Sequence, residues 1–198
     1  AISAIIGAGI IPAALEMIDH DIMVALEEAF EFGFPLDAEA VLIIEVDGMD
    51  AGLDDHRDRI VKLCFDNGAR DVQQAEDEKQ RQHLWRARKQ AFGAIGRLSS
   101  SLVTQDGVVP RTQLPYIYEK IMEIGKKYDI RIVNVFHAGD GNIHPVMLFD
   151  ERDASQVQRV LQAGGEILDA CLEVGGSVTG EHGIGVEKMH FMKKMFTP

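Results

Sequence analysis

Basic residues are scarce in this 198-residue sequence: 20 Lys and Arg stand against 32 Asp and Glu, a formal net charge of −12. Nucleic-acid binding needs clustered cations to meet phosphates. The short runs Arg86-Ala87-Arg88-Lys89 and Lys193-Lys194 make no such surface, so nucleic acid is excluded as a partner. Cysteine is nearly absent too. Cys64 and Cys171 lie far apart, outside any CxxC, and are predicted to be buried free thiols in a reducing compartment. No apolar run is long enough to span a bilayer, and the start lacks the charged region of a signal peptide, so a cytoplasmic location is expected. Neither a G-x-G-x-x-G fingerprint nor a P-loop is present, and there is no internal repeat or low-complexity tract. An initiator Met is missing as well, and the sequence reads as part of a longer protein.

What remains is an ordinary globular composition, 46% hydrophobic and 26% charged, able to build one substantial core. Short Val/Ile-rich runs alternate with amphipathic stretches. Strands are predicted at Ala13–Asp19, Ala40–Val46, Asp71–Ala75, Ser101–Asp106, Arg131–Ala138 and Asn142–Phe149. Helices are predicted at His20–Phe32, Leu53–Asn67, Glu76–Leu98, Arg111–Tyr128 and Asp153–Val174, with a short one from Val186. Strand and helix runs with at least one adjacent hairpin imply an α+β fold, an antiparallel sheet with helices packed on one face. A less regular, glycine-rich and helical extension follows from about Gly175.

The chemistry gathers in two motifs. In Phe136-His137-Ala138-Gly139-Asp140-Gly141-Asn142-Ile143-His144-Pro145, Asp140-Gly141 suits a two-residue type I′ turn between two β-like runs. That register sets His137 opposite His144, with Cβ atoms roughly 4.5–5.5 Å apart on one face, where two imidazoles can reach one metal ion. The plainer alternative is a pair of half-buried histidines closing a hairpin. Asp140 and Asn142 are polar there, although a turn role accounts for both. The second motif, Gly180-Glu181-His182-Gly183-Ile184-Gly185, holds two ionisable residues in a glycine frame that lets a ligand approach the backbone closely. A carboxylate added to two histidines makes a facial ligand set with open positions, and a histidine has the pKa of a general base near neutrality. The competing reading is an exposed flexible loop. His20, His56, His83 and His190 sit in charged helical contexts and are expected at the surface, while Met189, Met192 and Met195 follow helical packing spacing.

These motifs, together with Trp85-Arg86-Ala87-Arg88-Lys89 and Asp106-Gly107-Val108-Val109-Pro110-Arg111, resemble the C-terminal domain of FAD-linked oxidases of the vanillyl-alcohol-oxidase type. That group includes bacterial glycolate oxidases and D-lactate and D-2-hydroxyglutarate dehydrogenases. The resemblance implies a ferredoxin-like substrate (cap) domain over residues 1–174. Residues 175–198 would then return to an FAD-binding domain outside this sequence. It further implies that His137, His144 and Glu181 ligate a divalent metal, Zn or Mn, and that His182 is the catalytic base. Arg88 would hold the substrate carboxylate with help from Lys89, Asn142 would contact substrate or cofactor, and Gly183 would lie at the FAD. Some relatives carry a Lys just before the motif's Asp, where this sequence has Thr104-Gln105, so a small monocarboxylate is expected rather than 2-hydroxyglutarate.

The implied activity is oxidation of a small 2-hydroxy acid, glycolate or D-lactate in type, by hydride transfer to FAD. Iron–sulfur or flavin partner subunits could hold the protein at the inner membrane periphery. Two other classes use the same residues: a metal-dependent hydrolase with His182 activating water, and a non-catalytic metal-binding module. In isolation this part of the protein is expected to self-associate through its FAD-facing surface.

Overall fold

Short acidic side chains start three of the long helices by accepting their first free N–H groups. Asp19 accepts from Ile22 N (3.2 Å), Asp77 from Gln80 N (2.7 Å), and Asp153 from Ser155 N and Gln156 N (2.9 and 3.3 Å). The computed structural model describes residues 1–48 and 50–196. In chain order its elements are α1 (Ile2–Gly7), β1 (Ala14–Asp19), α2 (His20–Phe30), β2 (Ala40–Glu45), α3 (Asp50–Asp66), α4 (Glu78–Ile95), β3 (Ser101–Thr104) and β4 (Gly107–Val108). There follow α5 (Leu114–Tyr128), β5 (Arg131–His137), β6 (Asn142–Phe149), α6 (Ala154–Glu173) and α7 (Met192–Met195). The strands form one antiparallel sheet in the order β2-β1-β5-β6-β3, with β4 beside β6 past the end of β3.

The class is the expected α+β arrangement with an antiparallel sheet, but helices cover both of its faces instead of one. Alternate strand residues explain why. Leu15, Ile132, Phe136, Ile143 and Met147 pack toward α5 and α6, whereas Ile18, Val133, Val135 and Val146 pack toward α2 and α4. Strand β6 is buried from Asn142 to Leu148, so a single helical layer would leave one apolar face in water.

Other departures from expectation are local. Asp71–Ala75 joins no ladder; the run has one β-branched residue and little apolar surface to bury. Helix α1, unforeseen in the sequence, buries Ile5 completely. The expected strand through Asp106 stops at Thr104, and the chain rejoins the edge of β6 only at Gly107. Both cysteines are buried free thiols, as expected. Among the described residues no helix is long and apolar enough to cross a membrane.

The hairpin turn needs a correction that bears on the site. It has four residues, Ala138 to Gly141, and pairs His137 with Asn142 and His144 with Val135. Strand β1 and the residue after β4 claim the turn's backbone: Gly139 N donates to Leu15 O (3.0 Å), and Val109 N donates to Gly141 O (2.9 Å). A free two-residue tip cannot make both bonds. The register therefore slides by two residues from the one expected. A shift of two leaves every side chain on its original face, so His137 and His144 become diagonal neighbours instead of opposed ones.

Candidate active site

One row of side chains crosses the end of the sheet on the α2/α4 face. Ile43 pairs with Glu16, Glu16 with His137, His137 with Asn142, and Asn142 with Val108. The polar row ends where the apolar interior of that face begins, and His144 lies one step inward on β6 beside Val135. The imidazole rings of His137 and His144 are 5.2 Å apart, edge to face.

Glu16 is a buried carboxylate with both oxygens occupied: Oε1 lies 2.8 Å from His137 Nδ1, and Oε2 accepts from Arg88 Nε at 2.8 Å. Burial pushes its pKa up, but the His137 hydrogen bond and the Arg88 charge outweigh this and hold it below the usual glutamate value. The same hydrogen bond raises His137 against the effect of burial. His144, by contrast, is lowered, first by burial and then by the neighbouring His137 charge. A neutral imidazole keeps a lone pair available for a ligand.

Glu181 and His182 reach this pair from the glycine-rich segment after α6, which a second buried carboxylate pins in place. Asp106, fully buried, accepts from Thr179 Oγ1 (2.7 Å) and from the backbone N–H groups of Gly180 (3.0 Å), Glu181 (3.0 Å) and His182 (2.8 Å). Burial pushes the Asp106 carboxyl up, yet the convergent donors from His182, Thr179, Glu181 and Gly180 bring it down to about 2. Lys188 completes the staple, donating to Asp106 O and Val178 O at 2.8 Å each. Gly180 is required here, because a Cβ would stand 2.8 Å from the Asn142 amide and the Val108 side chain.

Replacing Asp106 with Asn turns an amide N–H₂ against these donors. The expected result is a loss of about 2–4 kcal/mol of stability, with faster proteolysis within residues 179–183. Denaturant unfolding and limited proteolysis of the full-length protein measure the two effects.

So anchored, the loop presents its side chains to the sheet. Glu181 Oε1 is 3.7 Å from His137 Nε2, and Glu181 Oε2 is 3.3 Å from His144 Nε2. The His182 ring stacks on His144, centroids 5.2 Å apart with an 18° tilt. Two imidazole nitrogens and a carboxylate oxygen thus lie within 4.8 Å of one another. Ligands about 2.1 Å from a common ion are separated by about 3.0–3.4 Å, so this donor set fits a divalent metal with small adjustment.

The other sequence-derived candidates are distributed unevenly. Arg88 is buried on α4, its Nε on Glu16, and its two Nη groups have no hydrogen-bond partner among the described residues. Lys89 is exposed and makes no ion pair among them. Asn142 shares the face of the histidines and is buried with Oδ1 unpartnered. Gly183 is exposed with φ +78° and donates to Thr179 Oγ1 (2.8 Å). His20 sits at the Ala38 carbonyl, His83 meets the edge of Phe32, and His190 lies against Phe191, away from the site. Of the spaced methionines only Met195 packs; Met189 and Met192 are exposed.

Glu16, Asp106 and Lys188 were not foreseen as site residues. Glu16 left a trace in the sequence, as a charge in the middle of the otherwise apolar run Ala14–Ile18.

Comparison with known proteins shows the family of the chain. The profile of FAD linked oxidases, C-terminal domain, matches residues 1–198. The chain belongs to this family. It is 44% identical over 196 residues to the glycolate oxidase subunit GlcD of Escherichia coli K12, covering 99% of the chain and 39% of that subunit. GlcD of Bacillus subtilis is 38% identical, with 97% and 41% covered. A probable mitochondrial D-lactate dehydrogenase of Danio rerio is 30% identical, with 98% and 39% covered. The FAD-linked oxidase domain thus spans about two fifths of the length of these relatives.

Two solved structures share the fold of the domain. Alkyldihydroxyacetonephosphate synthase has a TM-score of 0.56 at 13% identity, covering 96% of this chain and 39% of that one. The 4-ethylphenol oxidase of Gulosibacter chungangensis has a TM-score of 0.55 at 14% identity, covering 83% and 38%.

Proposed function

We propose that this FAD-linked oxidase domain is the substrate half of an enzyme that oxidises a small 2-hydroxy acid, of the glycolate or D-lactate type, to the 2-oxo acid. The observation that carries the reading is the convergence of His137, His144 and Glu181 beside His182 and Arg88, on a chain akin to glycolate oxidase and D-lactate dehydrogenase subunits.

His137 Nε2, His144 Nε2 and Glu181 would hold a divalent metal, Zn or Mn, which supplies a Lewis acid that lowers the pKa of the α-hydroxyl. FAD, when bound, would supply the hydride acceptor that the oxidation of the α-carbon requires. Arg88 binds the substrate carboxylate through its free Nη pair, a fork suited to two parallel hydrogen bonds. His182, exposed on its pinned loop and stacked on His144, would take the hydroxyl proton. Asn142, on the face of the two histidines, has a carbonyl oxygen without a partner that would contact substrate or cofactor, and Gly183 would let the flavin approach the backbone closely. Lys89 lies next to Arg88 on α4 and contributes positive charge.

In this reading the segment from Gly175 would return to an FAD-binding domain, and Val186, Met189 and Phe196 are exposed along it. Those side chains are the surface through which the isolated domain would self-associate. In the cell we place the protein in the cytoplasm, working with partner subunits that carry electrons onward.

Turnover of a panel of 2-hydroxy acids by the full-length protein with a dye acceptor tests the reading. It predicts activity with glycolate or D-lactate and little with 2-hydroxyglutarate. A colourless protein that hydrolyses esters or amides instead would replace it with the hydrolase reading.

A further inference from the structure

We infer that Glu16 is a positioning residue that couples the substrate-binding arginine to the metal-binding histidine, through one buried carboxylate shared by Arg88 and His137. This rests on the reading just given, in which His137 is a ligand and Arg88 binds substrate.

The geometry is specific. Glu16 lies directly opposite His137 across the β1/β5 ladder, and α4 lowers Arg88 onto its other oxygen; both contacts are 2.8 Å. Burying a carboxylate costs several kcal/mol unless its lone pairs are engaged. Here one oxygen serves each partner, so neither contact can be removed without stranding charge. Glu16, Arg88 and His137 lie on three separate elements, and no other described acidic side chain bonds either partner at hydrogen-bond distance.

Two consequences follow for the site. A proton on His137 Nδ1 directed at Glu16 fixes the tautomer whose lone pair is on Nε2, the nitrogen that faces Glu181. Seating Nε on Glu16 fixes the plane of the Arg88 guanidinium and leaves the Nη pair as its free edge. A long side chain held this way has already lost the rotamer freedom that binding a carboxylate would otherwise cost. Carboxylate and hydroxyl of one small substrate are thereby recognised by groups referenced to a single point, which fixes the distance between them.

Glu16→Gln is nearly isosteric but keeps only one acceptor oxygen, so it cannot accept from both partners, and an N–H₂ turned to His137 Nδ1 would move the ring proton to Nε2. In the full-length flavoprotein, Mn²⁺ affinity is measured by titration with detection of free Mn²⁺, alongside KM for D-lactate and glycolate. Glu16→Gln is expected to weaken Mn²⁺ binding about 10–100-fold and to raise KM for the hydroxy acid, with flavin content unchanged. Arg88→Lys, which removes the Nε donor while keeping the charge, is expected to weaken Mn²⁺ binding as well, although Arg88 touches no ligand atom directly. Should Glu16→Gln fold poorly, Arg88→Lys alone decides. Glu16→Asp, with charge but shorter reach, should recover part of either property.

Unchanged Mn²⁺ affinity in both variants, or a KM change with no Mn²⁺ change, would overturn the coupling and leave Glu16 a structural ion pair. A parent protein that takes up no Mn²⁺ fails at the first measurement, and both the metal reading and this inference fall with it.

Discussion

Replacing His182 with alanine in the full-length flavoprotein is expected to slow flavin reduction by the hydroxy acid about 10²–10⁴-fold, the usual contribution of a positioned general base. Flavin should remain bound and the fold intact. The His182 ring is exposed and makes no side-chain hydrogen bond among the described residues; its anchoring contact to Asp106 comes from the backbone N–H, which alanine keeps. The loss would therefore appear in chemistry and not in stability. Anaerobic stopped-flow absorbance in the visible flavin band measures it, and an unaltered reduction rate would remove His182 from the base role.

The second large effect is expected from Glu181→Gln. This substitution removes the carboxylate charge from a site whose other two donors are imidazoles, one of them, His144, held toward its neutral form by burial. Mn²⁺ or Zn²⁺ affinity should fall at least about 100-fold. Turnover should fall by about 10²–10⁴-fold, because a Lewis acid contributes several kcal/mol to the transition state. The Glu181 side chain is 54% exposed, so folding stability should move by no more than about 0.5 kcal/mol. That contrast separates it from Asp106→Asn, whose carboxylate holds the Glu181 backbone N–H, and where stability and site geometry fail together. Metal titration and thermal unfolding of the same preparation give both halves of the comparison.

How legible the site was in the sequence depends on the distance over which each contact acts. Helix starts at Asp19, Asp77 and Asp153 are local, settled within three residues, and their helices lie close to where periodicity puts them. The two histidines could be set on one face because a strand has a period of two, and that parity survived even when the register slid by two residues. The slide itself came from Leu15 on β1 and Val109 just after β4, which bond the turn from positions distant in sequence. No local rule about Asp-Gly turns contains those partners.

The two buried acids show the same limit more sharply. Glu16 meets Arg88 and His137 across separations of 72 and 121 residues, and Asp106 meets the Gly180–His182 backbone across 74 to 76. Glu16 was visible only as a charge on an otherwise apolar run, and Asp106 only as the first residue of a motif shared with relatives, without its partners. The second helical layer was hidden for a related reason: β5 and β6 are apolar on both parities, but sequence alone does not say which helices return to which face. The roles of Glu181 and His182, in turn, came with family resemblance, and the structure brings those two side chains to the histidine pair.

The measurement closest to the central claim is a single anaerobic turnover of the full-length protein with D-lactate or glycolate, before and after treatment with a chelator. The flavin band should bleach on mixing, one 2-oxo acid should form per flavin reduced, and chelation should abolish the bleaching until Mn²⁺ or Zn²⁺ is restored. A flavin that no 2-hydroxy acid reduces, or one reduced equally fast after the metal is stripped, would contradict the account.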